Sequence, residues 1–299
     1  MMEKPYLLHM ITPEKNLSAF DVNMAFDAGW HAMPYLGVEL DEVATIVQDT
    51  IFSRGPKSLK RTGIFIGGRD MHLAMDMFNA AKTAMLPPFE ISILTDPSGA
   101  FTTSAAMVAT VSHQLKVRHN EDLKGQNLLV LGGTGPVGAS AAVLAAKLGA
   151  KVTILGRAAD KANLVAEFCN TRYGTVVEGV KGDANDHLDD LLQDADLIFA
   201  TAKAGVQVLN QQQVAAAGKL KIAADLNAVP PAGIAGINLN DNGAALKGSK
   251  SNAVGIGPLA IGDIKYQTQQ GLLVKMYSMG VPLYFHFEDA FEVAMEKVN

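Results

Sequence analysis

The stretch Asn127-Leu128-Leu129-Val130-Leu131-Gly132-Gly133-Thr134-Gly135-Pro136-Val137-Gly138 decides the fold. Leu128–Leu131 is a short apolar run that reads as a buried strand, and glycines follow at the Gly-x-Gly-x-x-Gly spacing from Gly133 to Gly138. A helical pattern then takes over across Val137–Leu148, with Val137, Ala141, Leu144, Ala145 and Leu148 on one face. Strand, glycine turn and helix start in that order form a corner suited to a dinucleotide. Gly133 is read as the tight-turn residue, Gly135 as the point of close backbone approach to a pyrophosphate, and Gly138 as the residue of close helix–sheet packing. Pro136 sits at the first helical position, where no amide is lost. Thr134 and Val137 complete a helix N-terminus whose amides and positive dipole end face an anion. A purely structural glycine turn is the plain alternative.

Outward from this corner, strand-like and helix-like segments alternate. Downstream, strands are expected at Val152–Leu155, Val176–Val180, Leu197–Ala200 and Ile222–Ala224, with a helix at Asp160–Arg172. Upstream, strands are expected at Tyr6–Met10, Met33–Leu36, Thr62–Ile66 and Ile91–Leu94, separated by helices at Ala19–Ala28, Glu42–Phe52 and Met71–Met85. The last of these stops before Pro87-Pro88. A turn, Asp96-Pro97-Ser98-Gly99, then opens a long helix through Val117. This repeat implies an α/β fold of parallel sheets covered by helices. The polar break at His119-Asn120-Glu121-Asp122 divides it in two. Residues 1–118 are expected to form an N-terminal α/β catalytic domain, completed by helices within 258–299. Residues 119–257 are expected to form a Rossmann-type dinucleotide domain.

Composition narrows the function classes. The 299 residues are 48% hydrophobic and 18% charged, as in a globular enzyme. The longest central apolar stretch, Ala139–Ala146, is too short to span a bilayer, and no secretory apolar region follows Met1-Met2-Glu3-Lys4-Pro5. A cytoplasmic location without membrane attachment is therefore expected. The single cysteine, Cys169, excludes an intrachain disulfide and a thiolate metal cluster, and reads as a small buried hydrophobe. Seven scattered histidines give no metal-ligand spacing, so no metal site is expected. The net charge of −5, without a basic stripe, argues against nucleic acid as a partner.

At the end of the strand after the glycine turn stand Gly156-Arg157, with Lys161 one helical turn further on. A carboxylate at this place would accept the ribose hydroxyls of NAD. Arg157 with Lys161 instead suits a 2′-phosphate, which implies NADP with NAD as the lesser cofactor. A solvated Arg157 at a helix start is the alternative.

Several separated blocks resemble the bacterial NAD(P)-dependent methylene-tetrahydromethanopterin dehydrogenases. They include Ser18-Ala19-Phe20-Asp21-Val22-Asn23, Asp96-Pro97-Ser98-Gly99-Ala100-Phe101-Thr102-Thr103, Asp225-Leu226-Asn227-Ala228-Val229-Pro230-Pro231 and Gly255-Ile256-Gly257-Pro258-Leu259-Ala260-Ile261-Gly262. The resemblance implies an oxidoreductase that takes hydride from the methylene bridge of a tetrahydropterin C1 carrier, leaving the methenyl cation, in formaldehyde oxidation. It also implies a homo-oligomer. Within the family, Arg157 with Asp160-Lys161 matches an NADP-specific subtype. Asn227–Ile237 and Lys265-Tyr266-Gln267-Thr268-Gln269 match a subtype that uses either nucleotide.

By its place in these blocks, Asp21 is the first catalytic candidate, to stabilise the cation or hold the pterin. It also fits a Ser18-x-x-Asp21 capping box, which would serve helix-start amides alone. The resemblance supplies Lys265 as a second candidate, against a solvated helix lysine. Thr102 and Thr103 would face the pterin or cap their helix. Asn227, just past a strand end, would touch substrate or shape a turn. A methylene-tetrahydrofolate dehydrogenase remains an alternative. Its bifunctional form with cyclohydrolase activity is disfavoured, because no tyrosine here has a lysine four residues on. A non-catalytic NADP-binding sensor is the alternative of another class.

Overall fold

The computed structural model describes residues 4–175 and 180–298. The chain divides into two compact units, Met1–Thr102 with Tyr266–Val293, and Thr103–Lys265 with Ala294–Asn299. The division falls inside the helices Ala100–His119, Pro258–Ser278 and Phe287–Lys297, whereas the sequence placed it at the polar break after 118 and at 258. The break at His119 ends a helix, and the packing changes partners before that helix ends.

The first unit runs β1 (Leu7–Thr12), α1 (Ala19–Asp27), β2 (His31–Leu36), α2 (Val43–Phe52), the single turn α3 (Pro56–Leu59), β3 (Thr62–Ile66), α4 (Met71–Thr83) and β4 (Ser92–Thr95). Its strands are all parallel in the order β4-β3-β1-β2, with Tyr284–Phe285 added outside β4. Central β3 is buried along its whole length. That is why it reads as a continuous apolar run without alternation. Trp30 is fully buried, and its indole N–H donates to the Leu273 carbonyl at 3.0 Å. Helix α4 begins on Asp70, whose carboxylate accepts from the amides of His72 and Leu73 at 2.8 and 2.9 Å.

The second unit takes most of α5 (Ala100–His119), then β5 (Asn127–Leu131), α6 (Pro136–Lys147), β6 (Lys151–Gly156), α7 (Ala159–Tyr173), β7 (Val180–Ala184) and α8 (Leu188–Leu191). It continues through β8 (Leu197–Ala200), α9 (Gln211–Ala216), β9 (Ile222–Asp225), β10 (Asn242–Ala245), β11 (Val254–Ile256) and the start of α10 (Pro258–Ser278). After α10 the chain closes with β12 (Tyr284–Phe285) and α11 (Phe287–Lys297). The sheet order is β10-β11-β9-β8-β5-β6-β7, parallel except between β10 and β11. The winding reverses between β5 and β8. Such a switch point leaves a crevice at the carboxyl ends of the strands. One face of the sheet is closed by Leu129, Leu131, Leu155, Ile198, Leu209 and Ile234, all buried.

Of the strand expected at Val176–Val180, residues 176–179 lie outside the described residues, and β7 begins at Val180. Strands β10 and β11 were not expected. Asn242-Gly243-Ala244-Ala245 has little β propensity and lies at a sheet edge, and β11 has only three residues. No helix among the described residues is long and apolar enough to cross a membrane.

Candidate functional site

Strand β5 delivers the glycine turn, and each glycine there has its own reason. Gly132 is left-handed, with φ 69°, and a Cβ on it would lie 2.6 Å from the Ala202 backbone. The tight-turn residue is therefore Gly132, and the assignment of that role to Gly133 is corrected. Gly133 donates its amide to the Leu155 carbonyl at 3.1 Å. A side chain on Gly133 would meet the Val130 carbonyl at 2.8 Å and Ile154 at 2.9 Å, so its role is close packing between β5 and β6. A Cβ on Gly138 would run into the backbone of Gly133, 2.8 Å from its carbonyl carbon. These positions must be bare for the helix to sit on the turn. Gly135 differs: it is the N-cap of α6, makes no side-chain cap, and a Cβ there would meet nothing within 4 Å. Pro136 occupies the first helical position and Val137 is half-buried beside it. The first amides of a helix have no partner within it. Here the start of α6 opens on space, with no side chain of its N-cap to satisfy them.

Beside the turn lies a cavity of about 310 Å³. Its walls are Gly132 and Thr134 from the turn, Gly156 and Arg157 from the end of β6, and Ala202, Lys203 and Val206 from the loop after β8. No carboxylate is among the described residues that line it. Arg157 reaches this wall, as its position after β6 implied. Lys161 is exposed on the first turn of α7 and is not part of the wall. Lys203 was missed by sequence reasoning. Its one signal is position, just past the strand that flanks β5 on the side of the switch point. A bare glycine cradle, an open helix start, apolar wall residues and cations fit a dinucleotide.

At the end of β9, Asp225 is fully buried, and it too was missed. Its carboxylate accepts from the amides of Asn227 at 2.9 Å and Ile234 at 3.0 Å. Burial raises its pKa above the usual carboxylate range, against the opposing effect of the amides of Asn227, Ile234 and Gly233. Asn227 lines a second cavity of about 440 Å³, but its side chain is committed to the loop. Its Oδ1 accepts from the amides of Gly205 and Val229 at 2.9 and 3.0 Å, and its Nδ2 donates to the Pro231 carbonyl at 2.6 Å. These bonds give Asn227 the turn role, one of the two expected for it.

In the first unit, the carboxyl ends of β1 and β3 hold a small cavity of about 100 Å³. Thr12, Ser18, Asp21, Gly68, Arg69 and Ser98 are among its walls. Ser18 caps α1 and accepts the Asp21 amide at 3.4 Å. The Asp21 carboxylate, buried at 3% exposure, accepts from Gln269 Nε2 at 2.8 Å. It therefore serves more than its own helix start. Thr102 is fully buried. Its hydroxyl donates to Asp96 Oδ2 at 2.6 Å, and the amides of Phe101 and Thr102 donate to Asp96 Oδ1 at 2.9 and 3.2 Å. The Thr102 hydroxyl thus takes part in the helix start, one of the two roles expected for it. Thr103 remains half-buried. Lys265 in α10 is only 9% exposed, which removes the reading of a solvated helix lysine.

Residues 19–98 match the N-terminal domain model of methylene-tetrahydromethanopterin dehydrogenase, and residues 116–226 match the C-terminal domain model of alanine dehydrogenase/PNT. The NAD(P)-dependent methylenetetrahydromethanopterin dehydrogenase of Methylorubrum extorquens is 45% identical over 97% of this chain and 98% of its own length. A second protein of that organism, named Bifunctional protein MdtA, is 33% identical over 97% of this chain and 98% of its own. Among solved structures, Mycobacterium tuberculosis shikimate dehydrogenase shares the fold, with a TM-score of 0.52 at 17% identity over 98% of this chain and 100% of that one. The chain belongs to the methylene-tetrahydromethanopterin dehydrogenase family.

Proposed function

We propose that this chain oxidises the methylene bridge of a tetrahydromethanopterin-type C1 carrier to the methenyl form. It passes the hydride to NADP, with NAD as a second acceptor, and works as a cytoplasmic homo-oligomer in formaldehyde oxidation. The observation that carries this reading is the open, glycine-lined start of α6, in a chain of that family. When bound, the nicotinamide supplies the carbon that accepts hydride. The first amides of α6 hold the pyrophosphate, and Arg157 faces the adenosine ribose, where charge-assisted hydrogen bonds to a 2′-phosphate are worth roughly 1.5–3 kcal/mol each.

Asp21 is read as the catalytic carboxylate. Its buried carboxyl group, held by Gln269, is placed to oppose the positive charge that spreads over two carrier nitrogens as hydride departs. Lys265, buried in α10, orients polar ring atoms of the carrier, and Thr103 adds a contact. Thr102 and Asn227 act behind the site, by fixing a helix start and a loop.

The test is a steady-state assay of nicotinamide reduction with methylene-tetrahydromethanopterin and methylene-tetrahydrofolate, each with NADP and NAD. Turnover of the methanopterin carrier, faster with NADP, is expected. Turnover of the folate carrier alone would move the protein to C1-folate chemistry. Dinucleotide binding with no turnover of either carrier would leave a sensor.

A further inference from the structure

The geometry assigns to Lys203 the role of a second, specificity-determining cation that joins Arg157 on a 2′-phosphate. This inference rests on the dinucleotide reading above. Strand β5 is flanked by β6 on one side and β8 on the other. Arg157 ends β6, and Lys203 follows β8, so the two cations stand on either side of the glycine turn and line the same 310 Å³ cavity.

Among the described residues neither side chain has a hydrogen-bond or ion-pair partner, and no carboxylate lines the cavity. An anion that enters the cavity stands between two cations and meets no carboxylate there. The pyrophosphate does not need them, because the start of α6 offers it backbone amides. The remaining anion of NADP is the 2′-phosphate, a monoester of charge near −1.5 to −2, which two cations match and one does not. NAD carries a neutral hydroxyl there and gains little from either. Arg157 brings a planar fork, and Lys203 a point charge on a flexible stem that can reach the phosphate from the opposite side. Lys161, the nearer candidate in sequence, is absent from this wall.

The experiment is calorimetric titration of the purified protein with adenosine 2′,5′-bisphosphate and with 5′-AMP, for the natural chain and for Lys203→Met, Lys203→Arg and Arg157→Met. Lys203→Met is expected to weaken the bisphosphate about tenfold and to leave 5′-AMP as it was. Lys203→Arg should restore most of the loss. Equal weakening of both probes would place Lys203 on the 5′-phosphate and overturn the proposal, as would no change in either. Bisphosphate binding that depends on Lys203 in a protein that turns over no carrier would uphold the inference while the catalytic reading fails. If the natural chain binds neither probe, both fall together.

Discussion

Two turns in this molecule occupy the same topological station, the step from the carboxyl end of a parallel strand into a helix, yet they are built in opposite ways. In the first unit, β4 leads through Asp96-Pro97-Ser98-Gly99 into α5, and the turn is closed. The fully buried Asp96 carboxylate gathers the amides of Phe101 and Thr102 and the Thr102 hydroxyl. In the second unit, β5 leads through Gly132-Gly133-Thr134-Gly135 into α6, and the helix start carries no side-chain cap. The first turn brings its own capping side chain to the helix start; the second leaves that place open. A parallel sheet offers an anion site at such a station only where the chain omits the capping side chain. In the first unit, with Asp96 in place, the helix start is already capped and offers a phosphate no open amides.

The largest effect that tests this contrast is expected at the closed turn. Asp96→Ala strands two amides and a hydroxyl in a buried place, and should cost about 3–4 kcal/mol in urea unfolding. A cost below about 1 kcal/mol would mean that the carboxylate is not what holds the start of α5.

A third strand end sharpens the comparison through pH. Asp225, at the end of β9, gathers loop amides as Asp96 does, but burial outweighs them and raises its pKa. A carboxyl whose folded pKa lies above its unfolded one binds its proton more tightly when folded. Its stabilising contribution is complete below the unfolded value and is lost as pH rises through the folded value. The stability advantage of the natural chain over Asp225→Asn should therefore shrink from acid toward neutral pH, then level. An advantage that grows with pH would show that at Asp225 the amides win over burial.

How much of this was legible follows from how local each feature is. The strand, the glycine spacing and the helix of the open turn lie within twelve residues, and the sequence shows them directly. Arg157 was legible for a related reason, since it ends the next strand along. Which of two adjacent glycines turns left-handed was not, because that depends on Ala202 approaching Gly132 from the loop after β8. The same pairing of β8 with β5 brings Lys203 to the cavity, a contact with no trace in local sequence. Thr102 and Asn227 could each be read as ligand contact or scaffold. The scaffold use shows only in the hydrogen bonds of Asp96 and of the loop after β9, since both hydroxyl and amide suit either use. The short strands β10 and β11 lacked propensity and owe their form to the sheet edge they join.

The smallest change in stability is expected from the substitution that bears most directly on the contrast. Gly135→Asp would turn the open start of α6 into a copy of the closed one. Gly135 has φ −91° and ψ 172°, which an ordinary residue adopts, and a Cβ there meets nothing within 4 Å. The new carboxylate can cap the following amides and complement the helix dipole, for a gain of a few tenths to about 1 kcal/mol. It would do so by occupying, with a charge of the same sign, the place proposed above for the pyrophosphate. The expected result is a protein as stable as the natural one, or slightly more so, that no longer binds NADP or NAD in calorimetric titration. If Gly135→Asp still binds both nucleotides with natural affinity, the open helix start is not where the pyrophosphate sits. The difference between the two turns would then be one of folding alone.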